Sequence, residues 1–118
     1  MVEEYFELRK ISKYELMADE SLLLDFNGEK FQKMFHGINV KIMKTRGVEN
    51  AKKLLLKAKK FGLKTMVGCM IESSLGISEA LHLASLCDYI DLDGSLLLKN
   101  DPYAHLIKEE NGRLTLNK

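Results

Sequence analysis

The chain has 118 residues, of which 46% are hydrophobic and 30% are charged, and this composition excludes a largely disordered protein. Its 18 Lys and Arg residues against 17 Asp and Glu residues leave a formal net charge of +1, which gives neither a nucleic-acid footprint nor a polybasic membrane signal. No apolar run approaches the roughly 18 to 20 residues that a membrane span needs, and the acidic start is unlike a signal peptide. We therefore expect one cytoplasmic unit over residues 1–118, with Cys69 and Cys87 as reduced thiols.

Amphipathic stretches alternate with short apolar runs from the start of the chain. Residues 3–13 predict a helix, and residues 16–18 predict a short strand that leads directly into Asp19. A second helix is expected over residues 27–35, where two phenylalanines and a methionine share one side. This opening has the alternation of helix and strand that is typical of an α/β fold.

The middle of the chain contains the clearest helical pattern. A strand is predicted over residues 38–43 and is closed by a polar turn at residues 44–47. A helix follows, because one apolar stripe recurs at the spacing i, i+3, i+4, i+7 and i+10 in Ala51, Leu54, Leu55, Ala58 and Phe61. Lysines cover the remaining surface of this helix, and Gly62 is placed to end it.

Two further strands and one helix are predicted after Gly62. The strands cover residues 65–72 and 89–94, and the helix between them covers residues 77–86. The pattern of the remaining tail fits a helix and a strand equally well. Four strands that alternate with helices predict a parallel sheet with right-handed crossovers.

Polar side chains share one face of two predicted strands, because successive side chains of a strand point to opposite faces. On the second strand one face carries Ile38, Val40 and Ile42, and the other carries Asn39, Lys41 and Met43. On the fourth strand Ile90 and Leu92 share a face that packs on helices, and Asp91 and Asp93 share the opposite face. Polar groups therefore gather on the second face of these strands.

Acidic residues also end the other two predicted strands, the first at Asp19 and the third at Glu72. A parallel sheet covered by helices on both sides has two apolar faces, so it has no use for such residues. A barrel does, because the side chains at the carboxyl ends of its strands converge on one active site. The pattern therefore favours a barrel with a polar site.

The candidate lysine and the first candidate aspartate also have structural interpretations. Lys41 could be a structural lysine that pairs with an inner acid instead of an acid/base catalyst, and Asp19 could begin a helix instead of binding a ligand. The histidines have no metal-ligand spacing, and the scattered glycines form no phosphate-binding motif. Strand-end acids and Lys41 therefore remain the main candidates.

The later acids have alternatives of the same kind. Asp91 and Asp93 could end a strand and form a turn with Gly94. Glu72 could accept hydrogen bonds from the amides of the two serines that follow it. A functional interpretation and a structural one remain open for each of these residues.

Four ordered motifs nevertheless resemble one family. They are Met-Ala-Asp-Glu-Ser at residues 17–21, Asn-Val-Lys-Ile-Met-Lys-Thr at 39–45, Met-Val-Gly-Cys-Met-Ile-Glu-Ser at 66–73 and Asp-Leu-Asp at 91–93. Together they resemble the enolase superfamily in its muconate-lactonizing subgroup, and the last motif resembles that of dipeptide epimerases. The resemblance implies the C-terminal half of a (β/α)7β TIM-like barrel, with about four parallel strands alternating with helices.

The resemblance also implies a chemistry and a role for each candidate. Enzymes of this family remove a proton α to a carboxylate and stabilise the enediolate on Mg²⁺. Asp19 matches the third of three acidic metal ligands, and Lys41 matches the acid/base lysine on one face of the α-carbon. Asp91 and Asp93 match the pair that binds the ammonium group of a dipeptide substrate, and Glu72 matches a position near the site without a fixed role. A neighbouring divalent cation would lower the pKa of Lys41.

The sequence departs from the family pattern in what it lacks. We find no lysine of the second barrel strand, no acidic ligands of the third and fourth strands, and no capping domain. We therefore expect a part of an epimerase that is inactive alone, binds Mg²⁺ weakly and needs a complementing N-terminal half. The open edges and inner face of half a barrel predict a homo-oligomer as the other way to cover them.

Three other functions remain open from the sequence. The chain could be a catalytically dead half-barrel that survives as a folded, self-associating protein. It could belong to an enzyme with muconate cycloisomerase-like or another enolase-superfamily activity. It could also be a polyamine-binding or metal-binding module that uses Asp19, Asp91 and Asp93.

Overall fold

The computed structural model describes residues 2–117. Its helices are α1 (Val2–Ile11), α2 (Gly28–Met34), α3 (Ile42–Thr45), α4 (Val48–Lys60) and α5 (Ser74–Leu81). Its strands are β1 (Met17–Ala18), β2 (Gly37–Lys41), β3 (Lys64–Gly68), β4 (Tyr89–Ile90), β5 (Ile107–Glu110) and β6 (Arg113–Leu116). Short 3₁₀ turns occupy Ala84–Leu86, Gly94–Leu97 and Ala104–Leu106. None of these helices has the length and apolar character to span a bilayer.

Strands β1 to β4 form one parallel sheet in chain order, which confirms the predicted α/β architecture. Ala18 pairs with Ile38, Lys41 pairs with Gly68, and Val67 pairs with Ile90. Because all four strands run the same way, their carboxyl ends meet at one edge of the sheet. The loops that carry the candidate residues therefore lie side by side.

The apolar stripe of α4 packs on one face of this sheet. The helix residues Ala51, Leu54, Leu55 and Ala58 are all buried. The strand residues that face them, Ile38, Val40 and Val67, are also buried. The helix begins at Val48, three residues before the predicted stripe, and Gly62 follows its end with a φ of 70°. Since that φ lies in the left-handed region, glycine suits this position.

A polar cluster near the amino-terminal edge of the sheet connects its two outermost strands. Tyr89 of β4 donates a hydrogen bond from Oη to Glu15 Oε2 at 2.6 Å, although Glu15 precedes β1 and two strands separate β1 from β4. Lys64, at the start of β3, forms an ion pair with the same carboxylate. Side chains thus link the two edges of the sheet across its polar face, an arrangement that the curvature of a barrel favours.

All four strands of the sheet end earlier or begin later than the sequence predicts, and β4 ends at Ile90 instead of continuing to residue 94. β2 ends at Lys41 and not at Met43, because the chain turns into α3, where Thr45 Oγ1 donates to the Ile42 carbonyl at 2.8 Å. Met43 is consequently 59% exposed on that helix. β3 ends at Gly68, four residues before Glu72. Apolar residues in the two loops extended the predicted strands beyond their actual ends.

The predicted packing of Ile90 against helices, on the same face as Leu92, is wrong. Leu92 is buried at 3% exposure, but Ile90 is 51% exposed. β4 consists of Tyr89–Ile90 and pairs with β3 alone, so it is an edge strand and its outer side lacks a neighbouring strand. Alternation along the chain therefore stops predicting burial at this edge.

The last predicted helix and the tail also differ in detail. α5 begins at Ser74 and ends at Leu81, and a 3₁₀ turn replaces the end of the predicted helix. The tail forms an antiparallel hairpin of β5 and β6 around Asn111 and Gly112, with φ values of 52° and 79°. Asn-Gly is a strong signal for such a turn, so this signal favoured a strand over a helix for the tail.

Candidate active site

An ion pair joins the first two strand ends. Lys41 Nζ lies 2.8 Å from Asp19 Oδ2, and the two side chains are 16% and 25% exposed. Asp19 directly follows β1, and Lys41 is the last residue of β2, so the parallel pairing brings them to the same edge. Both side chains lie on the polar face, as the alternation along β2 predicts.

A second lysine, which the sequence analysis did not identify as a site residue, contacts the same carboxylate. Lys44 Nζ lies 3.4 Å from Asp19 Oδ1 and 3.6 Å from Glu20 Oε1. The turn of α3 places Lys44 one helical turn after Lys41, which brings both lysines to Asp19. A cavity of about 170 Å³ lies beside these three side chains.

The two partners shift each other's ionisation. The hydrogen bond to Asp19 raises the pKa of the Lys41 ammonium, although burial works in the opposite direction. Burial opposes ionisation of the Asp19 carboxyl, but the hydrogen bond and charge of Lys41, helped by Lys44, lower its pKa. Both groups are therefore charged at neutral pH. The sequence analysis expects a lowered Lys41 pKa only where a divalent cation lies beside the lysine. Such a cation would compete with Lys41 for the Asp19 carboxylate.

The acidic pair follows β4 at the same edge of the sheet. The Asp91 amide donates to the Val67 carbonyl at 3.0 Å, which places Asp91 beside Gly68 and about 10 Å, or two strand spacings, from the Lys41 backbone. Asp93 directly precedes the following 3₁₀ turn. Both carboxylates are exposed and line a cavity of about 430 Å³. The structure thus combines the predicted turn with two available acceptors.

The loops after β3 and β4 are packed against each other, which fixes the turn that carries the acidic pair. The Gly94 amide donates to Cys69 Sγ at 3.3 Å, and a Cβ atom at Gly94 would lie 2.1 Å from the Met70 carbonyl oxygen. Because that neighbour is backbone, it cannot move aside cheaply. Only glycine allows this approach.

We expect Gly94→Ala to destabilise the fold by about 1–3 kcal/mol, the usual effect of overpacking. Leu96→Ala is the matched control, because Leu96 lies in the same turn and is exposed, so its truncation should change stability by less than about 0.5 kcal/mol. Urea unfolding measures both. Equal stability of Gly94→Ala and the unaltered chain would contradict the tight approach of the two loops.

Glu72 lies away from the strand ends, in the loop before α5. Its carboxylate rests against Gly76, where a Cβ atom would lie 2.9 Å from Glu72 Oε2. The predicted alternative, in which Glu72 accepts from the following serine amides, is wrong for Ser74. The Ser74 amide and hydroxyl instead donate to Asp101 Oδ2, at 3.0 and 2.6 Å. Asp101 therefore caps α5 from the tail.

Burial, followed by the charge of Glu79, raises the pKa of Glu72 above its ordinary value of 4.5. The folded state therefore binds this proton more tightly than the unfolded state, and stability falls as pH rises from below 4.5 through the folded pKa. We expect Glu72→Gln to be more stable than the unaltered chain at pH 7 and equal to it below about pH 4. Thermal unfolding across this pH range tests the sign, and a less stable variant at pH 7 would refute it.

Magnesium does not fit the described residues as a complete site. Residues 2–117 contain no group of three or more His, Cys, Asp or Glu side chains that could hold a metal ion. Asp19 supplies one carboxylate at the strand ends, and two lysines already compensate its charge. Magnesium needs near-octahedral oxygen coordination, so further ligands would have to come from outside these residues.

Similarity to known proteins agrees with this geometry. No protein-family model matches the chain. It is 48% identical over 103 residues to the L-Ala-D/L-amino acid epimerase of Pedosphaera parvula, a match that covers 87% of this chain and 30% of that protein. The chain thus spans about a third of the length of this curated relative.

Solved structures give the same result. The chain superposes on the L-Ala-D/L-Glu epimerase of Bacillus subtilis with a TM-score of 0.82 and 29% identity, over 98% of this chain and 33% of that one. It superposes on the dipeptide epimerase of Methylococcus capsulatus, complexed with Mg and L-Arg-D-Lys, with a TM-score of 0.79 and 32% identity, over 100% and 36% of the two chains. Its four strands and their helices are therefore part of a TIM-like barrel. The chain belongs to the enolase superfamily, in its mandelate racemase/muconate lactonizing branch, and resembles part of a dipeptide epimerase.

Proposed function

We propose that the chain is the C-terminal part of an enzyme that epimerises dipeptides. The observation that carries the proposal is the Lys41–Asp19 pair, with its 2.8 Å contact at the carboxyl end of parallel barrel strands. The acidic pair of Asp91 and Asp93 lies at the same edge, two strands away. Proteins that match this segment are named as an L-Ala-D/L-amino acid epimerase and a dipeptide epimerase.

In this proposal Lys41 moves the proton. The neutral amine takes the α-proton on one face of the substrate, and the resulting ammonium can return a proton to the same face. Asp19 is the group that holds Lys41 in place before substrate binds. Return of the proton on the opposite face requires a second acid, which would come from outside the described residues.

Asp91 and Asp93 would bind the free ammonium group of the dipeptide. An ammonium has three donors and no acceptor, so two carboxylates at one strand end suit it. Both residues are exposed, which leaves them accessible to a ligand. Glu72 lies in the neighbouring loop, and we assign it no contact with the reacting atoms.

The surface of the chain supports a need for a partner. Its accessible surface is 7800 Å², about 1,300 Å² more than a typical folded monomer of 13.5 kDa exposes. The open edges of β1 and β4 flank the polar face of the sheet. A complementing barrel segment with a capping domain, or a second copy of the chain, would cover these surfaces.

A segment exchange tests the activity. In the Pedosphaera parvula epimerase, the segment matched by this chain is replaced by the 103 residues of this chain that match it, and the chimaera is assayed on mixed L-Ala-L-Xaa dipeptides with Mg²⁺. We expect the chimaera to epimerise dipeptides, and we expect this chain alone to be inactive and to bind Mg²⁺ weakly. A folded but inactive chimaera would refute the proposal and favour a catalytically dead half-barrel.

We expect the isolated chain to sediment as a homodimer or a higher oligomer, because open strand edges pair with other chains. Ile90→Lys should shift it toward monomer, since it places a charge on the exposed edge strand. Tyr14→Lys is the control, because Tyr14 is also exposed but precedes β1. Analytical ultracentrifugation measures all three proteins. A well-folded monomer at high concentration would contradict the expectation.

A further inference from the structure

Asn39 lies in β2 between two core residues, and its side chain points to the polar face beside Lys41. Its Nδ2 donates a hydrogen bond to Asp19 Oδ2 at 3.3 Å, the same oxygen that contacts Lys41 Nζ at 2.8 Å. The reverse orientation of the amide would place Oδ1 against the carboxylate oxygen, so the donor must face Asp19. The same oxygen, Asp19 Oδ2, therefore contacts both the Asn39 amide and the Lys41 ammonium.

The oxygen of the Asn39 amide is in an unfavourable environment. Asn39 Oδ1 is buried and has no hydrogen-bond partner among residues 2–117. A buried acceptor without a partner loses its hydration without compensation, so such groups are rare in folded proteins. An apolar side chain at this position would avoid the loss. Packing alone therefore gives no reason for an asparagine here.

Gly68 provides the space that the amide needs. It is paired with Lys41 on the neighbouring strand, and a Cβ atom at Gly68 would lie 2.7 Å from Asn39 Oδ1 and 3.0 Å from Nδ2. The φ of Gly68 lies outside the left-handed region, so its backbone does not require glycine. The Asn39 amide is thus the feature that a side chain at residue 68 would disturb.

We propose that Asn39 is a positioning residue, which orients the Asp19 carboxylate toward Lys41. The absence of a side chain at Gly68 leaves the space that the Asn39 amide needs for this role. The contribution to catalysis rests on the proposed function, because the pair that Asn39 orients is the proposed proton-transfer site. The geometric part of the proposal concerns this chain alone. It predicts that substitutions at Asn39 and Gly68 have non-additive effects on stability.

The test uses NMR on the full chain at pH 7, with the Asp19 ¹³Cγ shift and the Lys41 ¹⁵Nζ shift as readouts. We expect Asn39→Leu, which keeps the branched shape but removes the donor, to move both shifts toward those of solvated side chains. Gly68→Ala should do the same. Asn50→Leu is the matched control, because its Nδ2 donates to the Thr45 carbonyl at 2.8 Å, away from Asp19, and both shifts should stay unchanged.

A double-mutant cycle separates positioning from a general loss of structure. Gly68→Ala should destabilise the chain that contains Asn39, but it should have almost no effect in the Asn39→Ala background, where the smaller side chain leaves room. Additive effects would overturn the role of Gly68. Unmoved shifts in Asn39→Leu would overturn the role of Asn39, and this variant remains informative if Gly68→Ala does not fold.

Measuring the activity of the chimaera distinguishes a failure of the positioning role of Asn39 from a failure of the proposed epimerase function. In an active chimaera, Asn39→Leu should lower kcat at least tenfold with little change in KM, because it disturbs the proton-transfer pair and leaves the ammonium site intact. An inactive chimaera, combined with NMR shifts of the chain that respond as expected, would refute the epimerase function alone. An active chimaera with unchanged kcat in Asn39→Leu would refute the positioning role.

Discussion

Replacing Lys41 by alanine should lower the epimerisation rate of the chimaera by about 100-fold or more, because a positioned acid or base commonly contributes that factor. The fold should survive, since the Lys41 side chain lies on the polar face and not in the core. The rate of interconversion of L-Ala-L-Glu and L-Ala-D-Glu measures the effect. Circular dichroism checks that the variant is folded.

Lys44→Ala separates proton transfer from charge at the same carboxylate. Lys44 also contacts Asp19, but through the other oxygen and at 3.4 Å. We expect its removal to change the rate far less than removal of Lys41. Equal losses in the two variants would mean that the lysines act only as counter-ions of Asp19, which is the structural interpretation of Lys41.

Replacing Asp93 by asparagine should raise KM about 10- to 150-fold, because one charge-assisted contact with an ammonium is worth roughly 1.5–3 kcal/mol. kcat should change less, since Asp93 lies away from the proton that is transferred. Steady-state kinetics on one dipeptide measures both. Asp25→Asn is the control, as Asp25 is exposed in the loop before α2. An unchanged KM in Asp93→Asn would remove the reason for assigning the ammonium to this residue.

The sequence predicts the order of elements well because burial in this chain follows simple periods. Leu54, Leu55 and Ala58 recur at helical spacing on α4, and Ile38 and Val40 alternate with Asn39 and Lys41 on β2. Strand ends are less predictable, since apolar residues continue into the exposed loops. Met43 and Ile71 both follow a strand and both are exposed, so hydrophobicity does not mark burial there.

The candidate site was predictable in part for the same reason. Alternation places Lys41 on the polar face, and parallel pairing then brings it to Asp19. The contact of Lys44 with Asp19 depends on the turn of α3, which the predicted strand over residues 38–43 excludes. The bond from Ser74 to Asp101 joins residues 27 positions apart, and no local pattern predicts such a pairing.

Incorporation of solvent deuterium at the α-carbon tests the central claim most directly. L-Ala-L-Glu and L-Ala-D-Glu are incubated separately in D₂O with Mg²⁺ and the chimaera, and the loss of the α-proton signal of each is followed by ¹H NMR. Our account predicts exchange from both epimers in the chimaera that contains the unaltered chain, and loss of exchange from one of the two epimers in its Lys41→Ala variant. Exchange that continues at the same rate from both epimers without Lys41, or no exchange in a folded chimaera with Lys41 present, would contradict it.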